Sequence, residues 1–205
     1  ILGLSLGILS TAALHDGEKI VACASEERFS RIKNDEQFPL QAIKYVLKES
    51  NISGKEINKV VIAGNLLNLN THLMRKYSSW TIDDHFKLMN EFWKPKLLDG
   101  KNPNVNDLFK NKIDLNQYPG SHKWDKLFKS LSGNYYDSND NKIYIEFIHN
   151  IIEEVIGINK NNIVHMDHHT CHAAYAYWAS PIRGDGTLVM TADAFEGSGG
   201  PAAMY

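Results

Sequence analysis

ILGLSLGILSTAALHDGEKIVACAS, residues 1–25, decides how the chain folds. ILGLSL is apolar and β-compatible, STAALHDG ends on Asp16-Gly17, and KIVACAS resumes at once. Asp-Gly between two apolar runs is a strong short hairpin signal, because both residues tolerate the positive φ angles a tight turn needs. The start therefore predicts a β-meander that turns at Asp16-Gly17. Working outward, EERFSRIKND (26–35) is charged and reads as irregular. PLQAIKYVLKES (39–50) predicts a helix, with Pro39 at its start and Leu40, Ile43, Val46 and Leu47 on one face. KVVIAG (59–64) reads as a short buried strand ended by Gly64.

Residues 65–142 change character and are rich in Asn, Lys, Asp and aromatics. They read as an insertion, with helical patches near 79–90 and 123–132 and a polar loop, NYYDSNDNK, over 134–142. KIYIEFIHNIIEEVIG (142–157) then predicts an amphipathic helix stopped by Gly157. NNIVHMD (161–167) reads as a strand, HHTCHAAYAYWAS (168–180) as a helix stopped by Pro181, and GTLVMTADAF (186–195) as a strand. Without the insertion the order is β-β-β-α-β-α-β-α-β, which predicts an α/β layer fold with a mixed sheet.

Composition narrows the function classes. The chain has 205 residues, 22 Lys and Arg against 24 Asp and Glu, and a net charge of −2. That balance does not point to a nucleic-acid binder, and no apolar run approaches the roughly 18 residues of a membrane span. Cys23 and Cys171 are too few for a disulfide framework, so a reducing, cytoplasmic setting is expected. There is no initiator Met, and FEGSGGPAAMY reads as a turn entering a strand, so a longer parent chain is expected.

The chemistry concentrates in HMDHHTCHAAYAYWASP, residues 165–181, with four histidines and an aspartate in its first eight positions. On a helix, His168 and His172 lie on one face a turn apart, the spacing at which two imidazoles can hold one metal ion. His165 and Asp167 precede the helix, and His169 points elsewhere, suited to orienting a neighbour or a phosphate. An isolated HxxxH pair is more often surface or core histidine than ligand. This one sits at a strand-to-helix junction, where open α/β sheets collect ligands. Two further stretches carry weaker signals. TADAFEGSGG (191–200) offers Asp193 after a strand, and Gly197, Gly199 and Gly200, whose amides could face a phosphate, although glycines in a turn usually mean only a turn. Arg28, Arg31 and Lys33 could clamp an anion, although a charge run is more often a solvated loop.

Three segments in this order, residues 1–35, 165–181 and 187–197, closely resemble the N-terminal part of the NodU/CmcH-type carbamoyltransferases. DG-x-I-V-A…EERFSR-x-K-x-D and HH-x-x-HAA-x-A-x-x-AS-P carry the resemblance, over roughly residues 1–64 and 143–205. It implies an actin/Hsp70-like ATPase core of two ribonuclease-H-like halves, related to threonylcarbamoyl transferases. Residues 1–182 would form the first half, with the insertion at about 65–142, and residues 183–205 would start the second. It implies His168 and His172 as ligands of a divalent metal, iron first and zinc second, with a third ligand from later in the family chain. It places Asp193, Gly197 and Gly199 at the nucleotide, Arg28 and Lys33 on the carbamoyl-phosphate path, and His169 among the catalytic residues.

Two positions depart from the family pattern. Where the family has Gly-His-Asp this chain reads Gly7-Ile8-Leu9, and the family's Asp-Gly is Asp193-Ala194. The resemblance implies transfer of a carbamoyl group from carbamoyl phosphate, through an ATP-derived carbamoyl-adenylate, to a hydroxyl of a small molecule or sugar. It is compatible with a homodimer and involves neither nucleic acid nor membrane. The two departures keep open a nucleotide-binding protein without transfer activity. The histidines keep open a metal-dependent hydrolase.

Overall fold

The computed structural model describes residues 1–7, 9–35, 37–64, 81–109, 127, 130–132, 138–192 and 202–204. The chain divides into two compact units, residues 1–66 with 149–205, and residues 67–148.

The first unit is built on a five-stranded mixed sheet. Its strands are β1 (Leu2–Ser5), β2 (Thr11–His15), β3 (Ile20–Ser25), β4 (Val60–Ala63) and β5 (Ile163–Met166), in the order β3-β2-β1-β4-β5. The meander pairs antiparallel, as its Asp-Gly turn requires, while β1–β4 and β4–β5 are parallel. Asp16 holds the turn: its Oδ1 accepts from the amides of Glu18 (2.8 Å) and Lys19 (2.9 Å). Those two bonds keep its carboxyl below the usual carboxylate range. Alternation decides what each strand buries. Leu2 and Leu4, Ala12 and Leu14, and Val60 and Ile62 are all buried, with less buried residues between them. Burying each of these Leu, Val or Ile side chains is worth about 1.5–3 kcal/mol.

Helix α1 (Glu27–Ser30) forms where the sequence suggested only an irregular charged stretch. It is a single turn. Arg31, at φ 61°, ends it in the left-handed region, so local charge patterning gives little sign of it. Helix α2 (Leu40–Glu49) follows Pro39, buries Ala42, Ile43 and Val46, and packs on β2 and β3.

In the second unit, α3 (Ile82–Lys87) starts on a capping box in which the Thr81 hydroxyl and the Asp84 carboxylate bond each other's backbone amides. The helix continues as a π-helical stretch, Leu88–Trp93, and then as α4 (Lys94–Leu98). With α5 (Val105–Phe109) it buries Leu88, Phe92, Val105 and Phe109, against which Trp93 and Leu108 pack. The patch expected at 79–90 is thus part of a longer helix. The one at 123–132 lies mostly outside the described residues.

Helix α6 (Ser138–Ile156) begins four residues before the sequence suggested. The polar Ser138–Asn141 stretch, read as loop, is its first turn. One reason is that the Asp140 carboxylate accepts from the Ser132 amide (2.8 Å) and hydroxyl (2.9 Å), which draws that turn into the helix. Gly157, at φ 82°, stops it. Helix α7 (His168–Ala179) follows β5. Strand β6 (Met190–Ala192) begins four residues after Gly186, where the run was expected to start, and pairs antiparallel with β7 (Ala202–Met204) in a sheet of its own. Both cysteines are free, and no helix among the described residues is long and apolar enough to cross a membrane.

One backbone crossing in the first unit is tight enough to test. Gly54 opens a 3-10 turn (Gly54–Glu56), and a Cβ there would run into the carbonyl of Ile156, the last residue of α6. Gly54→Ala should cost about 1–3 kcal/mol of overpacking, or some 2–4 °C of melting temperature per kcal/mol in a chain of this size. Gly7→Ala, whose Cβ would meet nothing within 4 Å, is the control. Equal melts for the two variants would show that this crossing is not a fixed contact.

Candidate metal centre

The site is assembled where two parallel strands end side by side. Register pairs Ala63 with Met166, so Gly64 and Asp167 leave the sheet together. The Gly64 amide donates to the Met166 carbonyl at 2.8 Å, and its backbone turns away at φ 90°, a conformation that favours glycine. Asp167 caps α7: its Oδ1 accepts from the Thr170 amide at 3.1 Å. That cap makes His168 the first helical residue and fixes the phase of every side chain after it.

Helical phase then sets His168 and His172 against each other. Their Nε2 atoms lie 3.0 Å apart, with ring planes 87° apart and centroids 4.5 Å apart. An imidazole nitrogen binds zinc at about 2.0–2.1 Å, so two such nitrogens side by side on one ion stand about 2.9–3.4 Å apart. The observed separation falls in that range. The rings meet at an angle rather than head to head, so both lone pairs can converge on a point beside the line that joins them. The pair fits a shared divalent ion. Gly64 leaves room behind it, since even an added Cβ would stay 3.9 Å from His168 Nδ1. Among the described residues no group of three or more His, Cys, Asp or Glu side chains is placed to hold a metal.

His169 sits differently. It is 0% exposed, and its Nδ1 lies 2.8 Å from the Thr191 hydroxyl, tying α7 to β6. So enclosed, the ring holds two elements in place. Asp193, Gly197, Gly199 and Gly200 lie outside the described residues.

The basic loop is held from beneath by an acid that sequence reasoning passed over. Glu26 is buried, and its two carboxylate oxygens accept from the amides of Gln41 (3.1 Å) and Ala42 (2.9 Å) in the first turn of α2. Burial pushes its carboxyl above the usual range, against the pull of those two bonds. Its own amide donates to the Ser10 carbonyl, whose residue in turn donates to the Asp35 carbonyl, both at 2.8 Å. Phe29 packs on Tyr45 of α2, with ring centroids 5.6 Å apart. The loop is thereby pinned at both ends while Arg28 stays exposed, 3.8 Å from Glu27, and Lys33 stays exposed as well. No hydrogen bond or ion pair among the described residues joins Arg28 or Lys33 to the histidine pair. The signal for Glu26 was present in the sequence as an acid ahead of a helix start, but the adjacent Glu27 looked equivalent.

A sequence model described as carbamoyltransferase N-terminus matches residues 1–200. The chain belongs to that family. An uncharacterized protein of Synechocystis sp. is 50% identical over 52 residues, a stretch that makes up 25% of this chain and 8% of that protein. The chain thus spans only a small part of that relative's length. In this carbamoyltransferase N-terminus, the basic loop follows β3 and the histidine block follows β5.

The two readings of the histidines separate by experiment. His168→Ala and His172→Ala should each abolish stoichiometric metal binding and leave the melt nearly unchanged, because His172 is exposed and His168 only half-buried. His169→Ala should keep the metal and lower the melting temperature, since it removes a buried hydrogen bond and leaves a cavity. Metal analysis and thermal melts on the three variants would overturn the assignment if His168→Ala and His172→Ala retained their metal.

Proposed function

We propose that the chain is the N-terminal part of an O-carbamoyltransferase that moves a carbamoyl group from carbamoyl phosphate, by way of a carbamoyl-adenylate made with ATP, to a hydroxyl of a small molecule or sugar. The observation that carries the reading is the convergent His168/His172 pair in a chain of the carbamoyltransferase N-terminus family. The strand order β3-β2-β1-β4-β5 supports the companion reading of a ribonuclease-H-like half within an actin/Hsp70-like ATPase.

In the transfer, the acceptor oxygen attacks the carbamoyl carbon, the bond from that carbon to the AMP oxygen breaks, and AMP leaves with the electron pair. The acceptor proton must leave in the same step. A divalent ion held by His168 and His172, iron first and zinc second, would supply Lewis acidity and a template for phosphate oxygens. Arg28 and Lys33 would neutralise phosphate charge, Arg28 as a two-pronged donor and Lys33 as a point charge. Both are exposed and so free to meet an anion. Asp193, Gly197 and Gly199 would face the nucleotide.

One observation favours a second reading, a nucleotide-binding protein of the same fold without transfer. Leu9 stands, at φ 61° and 42% exposed, where the family pattern has an acid next to a histidine. An apolar side chain there can neither take the acceptor proton nor bond a carbamoyl group.

Making the adenylate consumes one water: hydrolysis of carbamoyl phosphate gives carbamate and inorganic phosphate, and the carbamate oxygen displaces pyrophosphate from ATP. The full-length protein with both substrates should therefore release inorganic phosphate and pyrophosphate and form carbamoyl-adenylate, which mass spectrometry follows. His168→Ala should lower that formation by two orders of magnitude or more. Adenylate formation without transfer to any of a panel of sugars and glycosides would favour the second reading. No adenylate with added iron or zinc would end the first.

A further inference from the structure

The sheet of the first unit has two edge strands, β3 and β5. β3, IVACAS, is the longest strand described and carries neither a charge nor a proline. Charge, proline and shortness are among the devices that keep an edge from pairing with another chain. The one such device present is a bulge at its start, where the register shifts opposite Leu14 and His15; Ala22–Ser25 pair regularly with β2. Ile20 is 64% exposed, Val21 40%, and Cys23 is exposed as well.

Two backbone bonds say which groups point outward. The His15 amide donates to the Ile1 carbonyl, on the β1 side, and the Glu26 amide donates to the Ser10 carbonyl, on the β3 side. Successive residues of a strand turn their backbone groups to opposite sides, so Ser10, Ala12 and Leu14 face β3. Their partners on β3, Ala24 and Ala22, face back toward β2. The amides and carbonyls of Cys23 and Ser25 therefore point away from the sheet. No hydrogen bond among the described residues takes them up.

We propose that β3 is a dimer edge, to which a second copy of this chain adds its own β3, antiparallel, about a two-fold axis at Cys23. Cys23 and the partner's Cys23 then exchange both amide–carbonyl bonds, and Ser25 meets the partner's Val21. The flanking charges choose that register. Residues 18–28 read EKIVACASEER. An axis at Cys23 sets Lys19 toward the partner's Glu27 and Glu18 toward the partner's Arg28, at both ends of the ladder. Moving the axis to Ala24 would set Lys19 toward the partner's Phe29 and Glu18 toward the partner's Ser30, and both ion pairs would be lost. Exposed ion pairs are weak, so they select the register. The backbone bonds and the cover given to Ile20 and Val21 hold the contact. The dimer edge is independent of what the histidines bind.

The test uses full-length protein. Sedimentation over a concentration series should show a monomer–dimer equilibrium. A short bismaleimide should link Cys23 to Cys23, a peptide that only two copies can give. Hydrogen exchange at the Cys23 and Ser25 amides should slow as concentration rises, while the Ala22 and Ala24 amides, already turned to β2, should not change. Lys19→Glu and Glu27→Lys should each weaken dimerisation about 10-fold, because the two-fold repeats every like-charge contact. The double variant restores opposite charges and should dimerise more tightly than either single variant. A monomer at every concentration, a dimer without the Cys23–Cys23 link, or a double variant no tighter than the singles would overturn the proposal.

Discussion

The parallel register of β4 on β5 is the constraint on which the rest of the site depends. Pairing Ala63 with Met166 sends Gly64 and Asp167 out of the sheet at the same edge. From there two local choices follow. Gly64 adopts a backbone angle that favours glycine, and Asp167 caps α7, starting the helix at His168. A one-residue slip would turn His165 to the other face of the sheet and change which residues flank Gly64.

Carboxylates that accept from backbone amides do much of the positioning. Asp167 satisfies a free amide at the start of α7, and Glu26 satisfies two at the start of α2 from a distant part of the chain. A helix start leaves four amides without intrahelical partners, so each is a fixed anchor for a nearby oxygen. Glu26 uses that anchor to pin the loop that displays Arg28 and Lys33, which leaves the cations themselves unburied. The loop's charge faces outward because its acid faces inward.

The two histidine pairs show how little residue type alone says about role. Both place Nε2 atoms about 3 Å apart. In one the rings meet at a right angle on adjacent turns of a single helix and converge on a point beside them. In the other, His149 on α6 and His165 on β5, they come from a helix and a strand and point along one line. Ring orientation separates them, and in the second pair it is set by how α6 lies on β5.

Much of this was legible from residue order. The Asp-Gly turn, the alternation of Leu2, Leu4, Val60 and Ile62, the Gly157 stop and the spacing of His168 and His172 are local properties, fixed within a few residues by φ, ψ and helical phase. The start of α6 was misread because Asp140 draws Ser138–Asn141 into the helix through a bond to Ser132. The single turn of α1 gave no periodic signal at all. His149 looked like one more polar residue on an amphipathic helix, and Glu26 like the twin of Glu27. Their roles depend on partners 15 or 16 positions away, at His165, Gln41 and Ala42. The sequence by itself determined most of the elements and the one-turn spacing of His168 and His172, because both follow from backbone geometry over a turn or less. Only the tertiary structure decided which acid is buried, which histidine is enclosed and which pair of rings meets across two elements, because burial and ring orientation are properties of contacts between elements.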